Sequence, residues 1–383
     1  MYNRKVVFVA SCLAMLVFGI VMTVLGSTLP SIIVKFNIDK INAGSLPLLL
    51  TFGILLGSIV FGPIVDRFGY KGLLIVAIFF ILFGLIGIAV TRSFTLLRVF
   101  VFIIGLGGGV INGSSNALVA DISEKDRSAG LSLLGVFFCI SAFGVPFLLG
   151  NLLSRFSYEN ILLGVSLSVV IPLLFFIIPR FPAPKHVQGF PLKEGIGLLK
   201  ELPLMLFGFI LFFESGMEIS VGSWASSFFK EELGADVNKA VVYFSFYWLG
   251  MMAARLVLNN LLKKFAPANI LRVFIGITFV GTLLMIFTHN LPLAIFGVIL
   301  VGIGLAAAFP IILGFVGDRY SQLSGTAFSI SFVLALLGGM SMPYLIGLIS
   351  NSYGLRVSFF IIPISLICQL LLLTVVLRRI AKR

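Results

Sequence analysis

Ionisable residues vanish from this chain in long blocks. The first half contains six charge-free runs: Val6–Val34, Ile41–Val65, Gly72–Thr91, Val99–Ala120, Ser128–Ser154 and Asn160–Pro179. Each is long enough as a helix to cross about 30 Å of hydrocarbon, where every backbone N–H and C=O must find its partner within the segment. The second half supplies apolar runs near Leu202–Phe229, Ala240–Leu262, Ile270–Thr288, Pro292–Val316, Ser324–Ser350 and Val357–Leu377. Twelve spans are therefore predicted. With 60% of residues strongly apolar and only 11% charged, soluble enzyme folds, disulfide scaffolds and disordered tails are excluded. The 40 Phe and 40 Gly suit helices that face lipid on one side and pack closely on the other.

A net charge of +13 would suggest nucleic acid as a partner in a soluble protein, but here the placement of the charges matters more than their sum. Eighteen of the 27 Lys and Arg fall on the side of both termini, eight fall on the opposite side, and Arg255 lies within a span. This bias places both termini in the cytoplasm, in a plasma (inner) membrane of bacterial type. The first apolar run reads as a retained helix rather than a cleaved signal. Cys12, Cys139 and Cys368 stand alone, and His186 and His289 fall in loops, so no disulfide framework, metal site or bound cofactor is expected.

The two halves repeat. Adding 197 carries Gly105 to Gly302, Gly107 to Gly304, Asp121 to Asp318, Pro146 to Pro343 and Gly150 to Gly347, without a gap. Asp39 and Phe68 likewise fall on Asp236 and Phe265. The expected organisation is an all-α membrane protein with two pseudo-symmetric six-helix bundles, residues 1–180 and 202–383. A basic, proline-containing linker over 181–201 joins them.

After the second span the chain reads Gly62-Pro-Ile-Val-Asp66-Arg67-Phe-Gly69-Tyr-Lys71. This resembles the G-x-x-x-D-R-x-G-x-K loop of the major facilitator superfamily in order, spacing and position. The resemblance implies a carrier that rocks one bundle against the other around a midplane site. It also makes Asp66, Arg67 and Lys71 gating residues, with Asp66 facing the positive N-terminus of the eleventh helix near Ser324-Gly325-Thr326.

Several further segments look like the fucose-permease-like sugar:cation symporters. They are Gly107 to Ala117 with Asn112 and Asn116, Ala254-Arg255 to Pro267, Ala308-Phe309-Pro310, and Gly338-Gly339 to Pro343. That family carries a proton-linked carboxylate on its first helix and another on its fourth. The matching positions here are Gly26 and Asn112, neither of which titrates, so coupling must rest on other residues. The same resemblance makes Arg255 a gate on the cytoplasmic side.

Within the fourth span Gly105, Gly109 and Gly113 recur every four residues and mark a close-packing face, while Asn112 and Asn116 form a polar stripe beside it. The two amides suit a polyhydroxylated ligand, or else they bond to neighbouring helices. The seventh span holds Glu214 and Glu218, four residues apart and about 6 Å along one helix face. Ionisable groups at that depth are rare and costly, and two like charges so placed do not both ionise easily. They are the expected coupling pair, with Glu218 favoured and Glu214 also a ligand contact. Gly216 and Gly222 suggest local unwinding that would expose carbonyls to Na⁺. Trp224 is expected either to stack on a sugar ring or to join the distal aromatic belt, and Tyr243, Tyr247 and Trp248 share that ambiguity. Phe309-Pro310 marks a break in the tenth span.

These features imply no enzyme. They point to a monomeric secondary transporter in the lipid bilayer, driven by H⁺ or Na⁺, carrying a sugar or similar polar metabolite. The alternatives are a proton antiporter exporting drugs or lipophilic metabolites, and a membrane sensor of the same fold. The orientation gives a first prediction: a cysteine placed at Lys193 is labelled by an impermeant maleimide in inverted vesicles and not in intact cells. Efficient labelling from outside reverses the topology.

Overall fold

The computed structural model describes residues 2–122, 127–182, 197–320 and 324–381. Helices α1 (Arg4–Phe36), α2 (Lys40–Phe68), α3 (Tyr70–Val90), α4 (Phe94–Ile122), α5 (Arg127–Leu152) and α6 (Tyr158–Ile177) make the first six crossings. Helices α7 (Leu202–Leu233), α8 (Val237–Leu262) and α9 (Pro267–Phe287) make the next three. The tenth crossing is split into α10 (Leu291–Leu305) and α11 (Ala308–Arg319), the eleventh is α12 (Ser324–Tyr353), and the twelfth joins α13 (Leu355–Ser358) to α14 (Ile361–Ala381). Twelve of the described segments are long and apolar enough to cross a membrane, so the chain is a multi-pass membrane protein. An even number of crossings returns the chain to the face it left, here termed the terminal face; the other is the distal face.

Helix ends follow local chemistry. Asn3 caps α1 by accepting from Lys5 N at 3.0 Å, and Asp39 caps α2 by accepting from Asn42 N at 2.8 Å. Between α2 and α3 the chain turns at a single residue, Gly69, with φ at 79°, a backbone region in which a Cβ is strained. The break in the tenth crossing falls at Ala306-Ala307, just ahead of the expected Phe309-Pro310. Pro310 has no N–H to return to the carbonyl four residues back, that of Ala306, so the ladder opens there. Pro363 stands in the same relation to Phe359, where α13 gives way to α14.

Packing inside the second half repeats packing inside the first. The pairs α1–α5, α2–α4, α3–α4 and α3–α6 have counterparts α7–α12, α8–α10, α9–α10 and α9–α14. The contacts agree residue by residue. A Cβ on Gly105 would strike Leu50 O, and one on Gly302 would strike Tyr247 O, the position 197 residues after Leu50. Gly107 lies against Ala77 O and Gly304 against Phe274 O, again 197 apart. Gly53 and Gly250 complete the set, against Phe102 O and Ile299 O. The predicted Gly105/Gly109/Gly113 face is the one that packs on α2, at Leu50, Ile54 and Phe61.

The halves meet chiefly through α1–α7, α2–α12 and α5–α8. Gly26 abuts Gly222 O, and Ser226 Oγ donates to Gly26 O. Gly44 faces Gly347, and Gly150 faces Asn238 and Val242. Near the distal ends of α2 and α7, Lys40 Nζ stands 2.7 Å from Glu231 Oε2 across the divide. The neighbouring Glu232 turns the other way, to Arg356, whose Nη1 also donates to Ile286 O at 2.7 Å and to Thr288 O at 2.9 Å. Adjacent glutamates thus tie one bundle to the other and brace the second bundle within itself. These contacts draw the two bundles together on the distal side.

The Lys40–Glu231 pair is one-quarter to one-third exposed, so losing it costs about 1 kcal/mol, and a like-charge pair in its place adds repulsion of similar size. Lys40→Glu, at about 2 kcal/mol in all, is expected to raise the distal-open population roughly thirtyfold, and the swap Lys40→Glu with Glu231→Lys to restore it. Spin-label distances between the distal ends of α2 and α7 measure both. An unchanged distribution in the single variant removes the pair from the gate.

Candidate functional site

The polar interior of the second bundle is built on three helices. From α7, Glu214 points into a space closed by α14, where Gln369 Nε2 donates to Glu214 Oε2 at 2.8 Å. Glu214 is 1% exposed and Gln369 fully enclosed. The second oxygen of each group, Glu214 Oε1 and Gln369 Oε1, has no partner among the described residues. One turn further along, Glu218 is only half-buried and lies within Coulombic range of Arg255 on α8. No ion pair within 4 Å joins Glu218 and Arg255 among the described residues.

Arg255 belongs as much to the interface between bundles as to α8. Its Nη1 lies 3.8 Å from Cys139 Sγ on α5, and its guanidinium carbon lies 5.9 Å from the Phe138 ring centroid. At seven residues from the end of α8 it sits about 10 Å in from the terminal-face end. Its surroundings are therefore Glu218, Cys139 and Phe138. Tyr247 and Trp248, both about two turns closer to the distal face, are buried, with ring centroids 4.8 Å apart, and Trp248 meets Phe138 edge-on at 5.6 Å. The distal-belt alternative for this pair ends here: a belt residue faces the lipid boundary, and these rings face the centre. Tyr247 Oη and Trp248 Nε1 are also without partners.

Trp224 lies elsewhere. It is fully buried, and its Nε1 donates to Pro343 O at 2.9 Å, pinning α7 to α12. In this conformation the ring has no open face for a ligand and no contact with a lipid boundary. Nor does α7 unwind: it runs unbroken through Gly216, which receives the Met342 side chain, and Gly222, whose carbonyl faces Gly26 of α1. Gly216 serves packing, and at the second contact it is Gly26 that has no room for a side chain.

On α4 the two amides bond first to each other. Asn116 Nδ2 donates to Asn112 O at 2.8 Å and to Asn112 Oδ1 at 3.0 Å. Both residues are half-buried, leaving Asn112 Nδ2 and Asn116 Oδ1 for another partner. They lie in the first bundle, and Glu214, Glu218 and Arg255 in the second, so the predicted residues divide between the bundles. Lys71 is half-buried and donates to Ile177 O at 2.6 Å, closing the end of α6 within the first bundle. The side chains of Asp66 and Arg67 lie outside the described residues, as do 183–196 of the linker. Among the described residues no cluster of three or more His, Cys, Asp or Glu could hold a metal.

Gln369 was not singled out from sequence, although a signal existed. It is the sole amide in the apolar run Val357–Leu377, and an isolated amide in hydrocarbon needs a partner. Lys40, Glu231, Glu232 and Arg356 gave no comparable signal, because charges at span ends are ordinary.

Two parallel six-helix halves, repeated in sequence and packed around a polar centre, define a secondary-transporter architecture. The chain belongs to the Major Facilitator Superfamily, whose sequence pattern matches residues 11–340, and is a membrane transporter of that family. It is 23% identical over 355 residues to an uncharacterized transporter, y4wD, of Sinorhizobium fredii, covering 90% of this chain and 91% of that one. Among solved structures it is similar to the nucleoside transporter NupG, with TM-score 0.80 and 14% identity over 97% of this chain and 99% of that chain. A D-xylose-proton symporter is similar to the same degree, with TM-score 0.80 and 14% identity over 96% and 97%. At such identities these likenesses establish the fold.

The Trp224 hydrogen bond yields a local prediction. Trp224→Phe keeps an aromatic ring but leaves the carbonyl of Pro343 without its donor, at a cost of about 1–3 kcal/mol. The expected result is a lowered unfolding temperature in detergent with substrate affinity unchanged. Weakened binding at unaltered stability would instead return Trp224 to the ligand site.

Proposed function

We propose that the chain is a cation-coupled symporter of a sugar or similar polyhydroxylated metabolite, working as a monomer by alternating access. The observation that carries this reading is the unequal setting of two carboxylates on one unbroken helix. Glu214 is shut away with an amide, whereas Glu218 is half-buried near the interface arginine. A carboxylate that is partly open in one conformation can exchange its counter-charge when the bundles rock, which a sealed one cannot do without the motion. Glu218 is accordingly the coupling residue, and Arg255 the cation that faces it once the coupling ion has left.

The ligand lies between the bundles, against Asn112 and Asn116. Their mutual bond fixes the two amides side by side and presents one donor and one acceptor, the pattern that a hydroxyl group satisfies. The fucose-permease-like segments agree with this cargo. An exporter of lipophilic compounds would have apolar side chains where these amides stand.

A carrier whose coupling residue cannot change charge still exchanges substrate, but it no longer concentrates it. Glu218→Gln in proteoliposomes is expected to retain counterflow and to lose uptake driven by a proton or Na⁺ gradient; accumulation equal to the parent's refutes the assignment. Asn112→Ala removes a hydrogen bond worth about 1.4 kcal/mol, so a roughly tenfold rise in KM is expected at unchanged unfolding temperature. Thermal-shift screening against monosaccharides, with and without Na⁺ at two pH values, identifies the cargo; a panel without any stabilising sugar counts against the reading.

A further inference from the structure

The interior of the second bundle contains an imbalance that its heavy atoms alone leave unresolved. Glu214 and Gln369 are joined by one hydrogen bond, Nε2 to Oε2 at 2.8 Å, in surroundings that exclude water from both side chains. The remaining oxygen of each side chain is buried and unpartnered. Two bare acceptors in apolar surroundings each cost free energy, by an amount comparable to a lost hydrogen bond. A charged carboxylate there would cost more still, since among the described residues one neutral amide N–H is its sole direct donor.

A single hydrogen placed between them would satisfy both oxygens. A primary amide and a carboxylic acid pair through an eight-membered ring: amide N–H to carboxyl C=O, and carboxyl O–H to amide C=O. The first of these bonds is in place, and the two vacant oxygens are the atoms that the second bond would join. We propose that Glu214 is protonated at Oε1 in this closed-distal state and donates that proton to Gln369 Oε1, so that the two side chains form a cyclic acid–amide pair that stores one proton. The step is an acid–base transfer only. The proton arrives from water or from Glu218 when the bundle opens, and leaves by the same route as the carboxylate forms.

The charged and titratable neighbours are consistent with this assignment. On α7 the next carboxylate is Glu218; from α8 Arg255 and Tyr247 face the pair; α14 contributes Gln369 itself. Arg255 makes its direct contacts with Cys139 and Phe138 rather than with Glu214, so it supplies a field and no hydrogen bond to that carboxyl. From α12, Met342 is the neighbour of this stretch of α7 and carries no charge. A neutral acid fits that setting. The inference rests on the transport reading only for its purpose: if the chain is coupled, the ion held at Glu214 is H⁺ and not Na⁺, because a protonated acid bonded to an amide offers no anionic oxygen to a metal ion.

Infrared difference spectroscopy of the whole protein in nanodiscs tests the pair without any transport assay. At neutral pH the parent is expected to show the C=O stretch of a protonated carboxyl, shifted in ²H₂O. Glu214→Gln should abolish that band while preserving the fold, since a Gln at this position can still pair with the Gln369 amide. Gln369→Leu should leave a protonated-carboxyl band but move it to higher frequency, because the acid has lost its acceptor. Glu214→Asp supplies a second check, with a displaced band expected. A carboxyl region unchanged by Glu214→Gln, or a band that Gln369→Leu does not move, overturns the proposal. Neither result bears on whether Glu218→Gln uncouples uptake, so the two readings fail separately.

Discussion

Helices in lipid gain little by hiding apolar side chains from one another, because the acyl chains are as apolar as leucine. What holds a bundle is close approach, and here it is set by glycine against carbonyl oxygen. Gly105 on Leu50, Gly302 on Tyr247, Gly107 on Ala77 and Gly304 on Phe274 are four instances of a single device in two copies. Between the bundles the same device recurs at Gly26–Gly222, Gly44–Gly347 and Gly150–Asn238. A methyl group at any of the four within the bundles, or at Gly26, Gly150 or Gly347, would collide with backbone, which cannot rotate away as a side chain can. The offset of 197 residues is thus the register of a packing scheme, and the internal symmetry of the sequence is the mark left by that steric demand.

Within so dry an interior, polar groups are sorted by the partners available to them. The two carboxylates of α7 lie on one face, yet α14 meets the first with an amide while α8 and α5 bring a guanidinium and a thiol near the second. Spacing along a helix makes a pair; the helices packed against it decide what each member does. The same logic separates the tryptophans. Trp224 finds a carbonyl at Pro343, whereas Trp248 is held by aromatic edges, with its Nε1 unsatisfied.

This also explains how much was legible in the sequence. Span number, the tight turn at Gly69, the glycine face of α4 and the pairing of the halves all follow from local spacing or from self-similarity, both written in one dimension. The depth of Glu214 and Glu218 followed as well, since an acidic residue inside an apolar run has nowhere else to go. What could not be read were contacts between distant segments: Gln369 on Glu214, Arg255 on Cys139, Lys40 on Glu231. Gly216 and Gly222 misled for the same reason. A glycine in a helix signals either unwinding or close packing, and only the fold distinguishes them: α7 stays helical through both, with Met342 against Gly216 and the Gly222 carbonyl against Gly26.

The site and the gate are linked through one element. Helix α7 is continuous for 32 residues, and along it lie Glu214, Glu218, the Gly222 contact with α1, the Ser226 bond to Gly26 and, near its distal end, Glu231. A rigid helix cannot release Glu231 from Lys40 and part Gly222 from Gly26 without shifting its other half relative to the first bundle. That half carries Glu218, while Arg255 is anchored across the same divide to α5. Opening the distal side therefore alters the distance between Glu218 and the α5 groups around Arg255, yet leaves Glu214 and Gln369 together, since α7 and α14 belong to one bundle. Movement between bundles reaches one carboxylate directly and the other only through its neighbour one turn away.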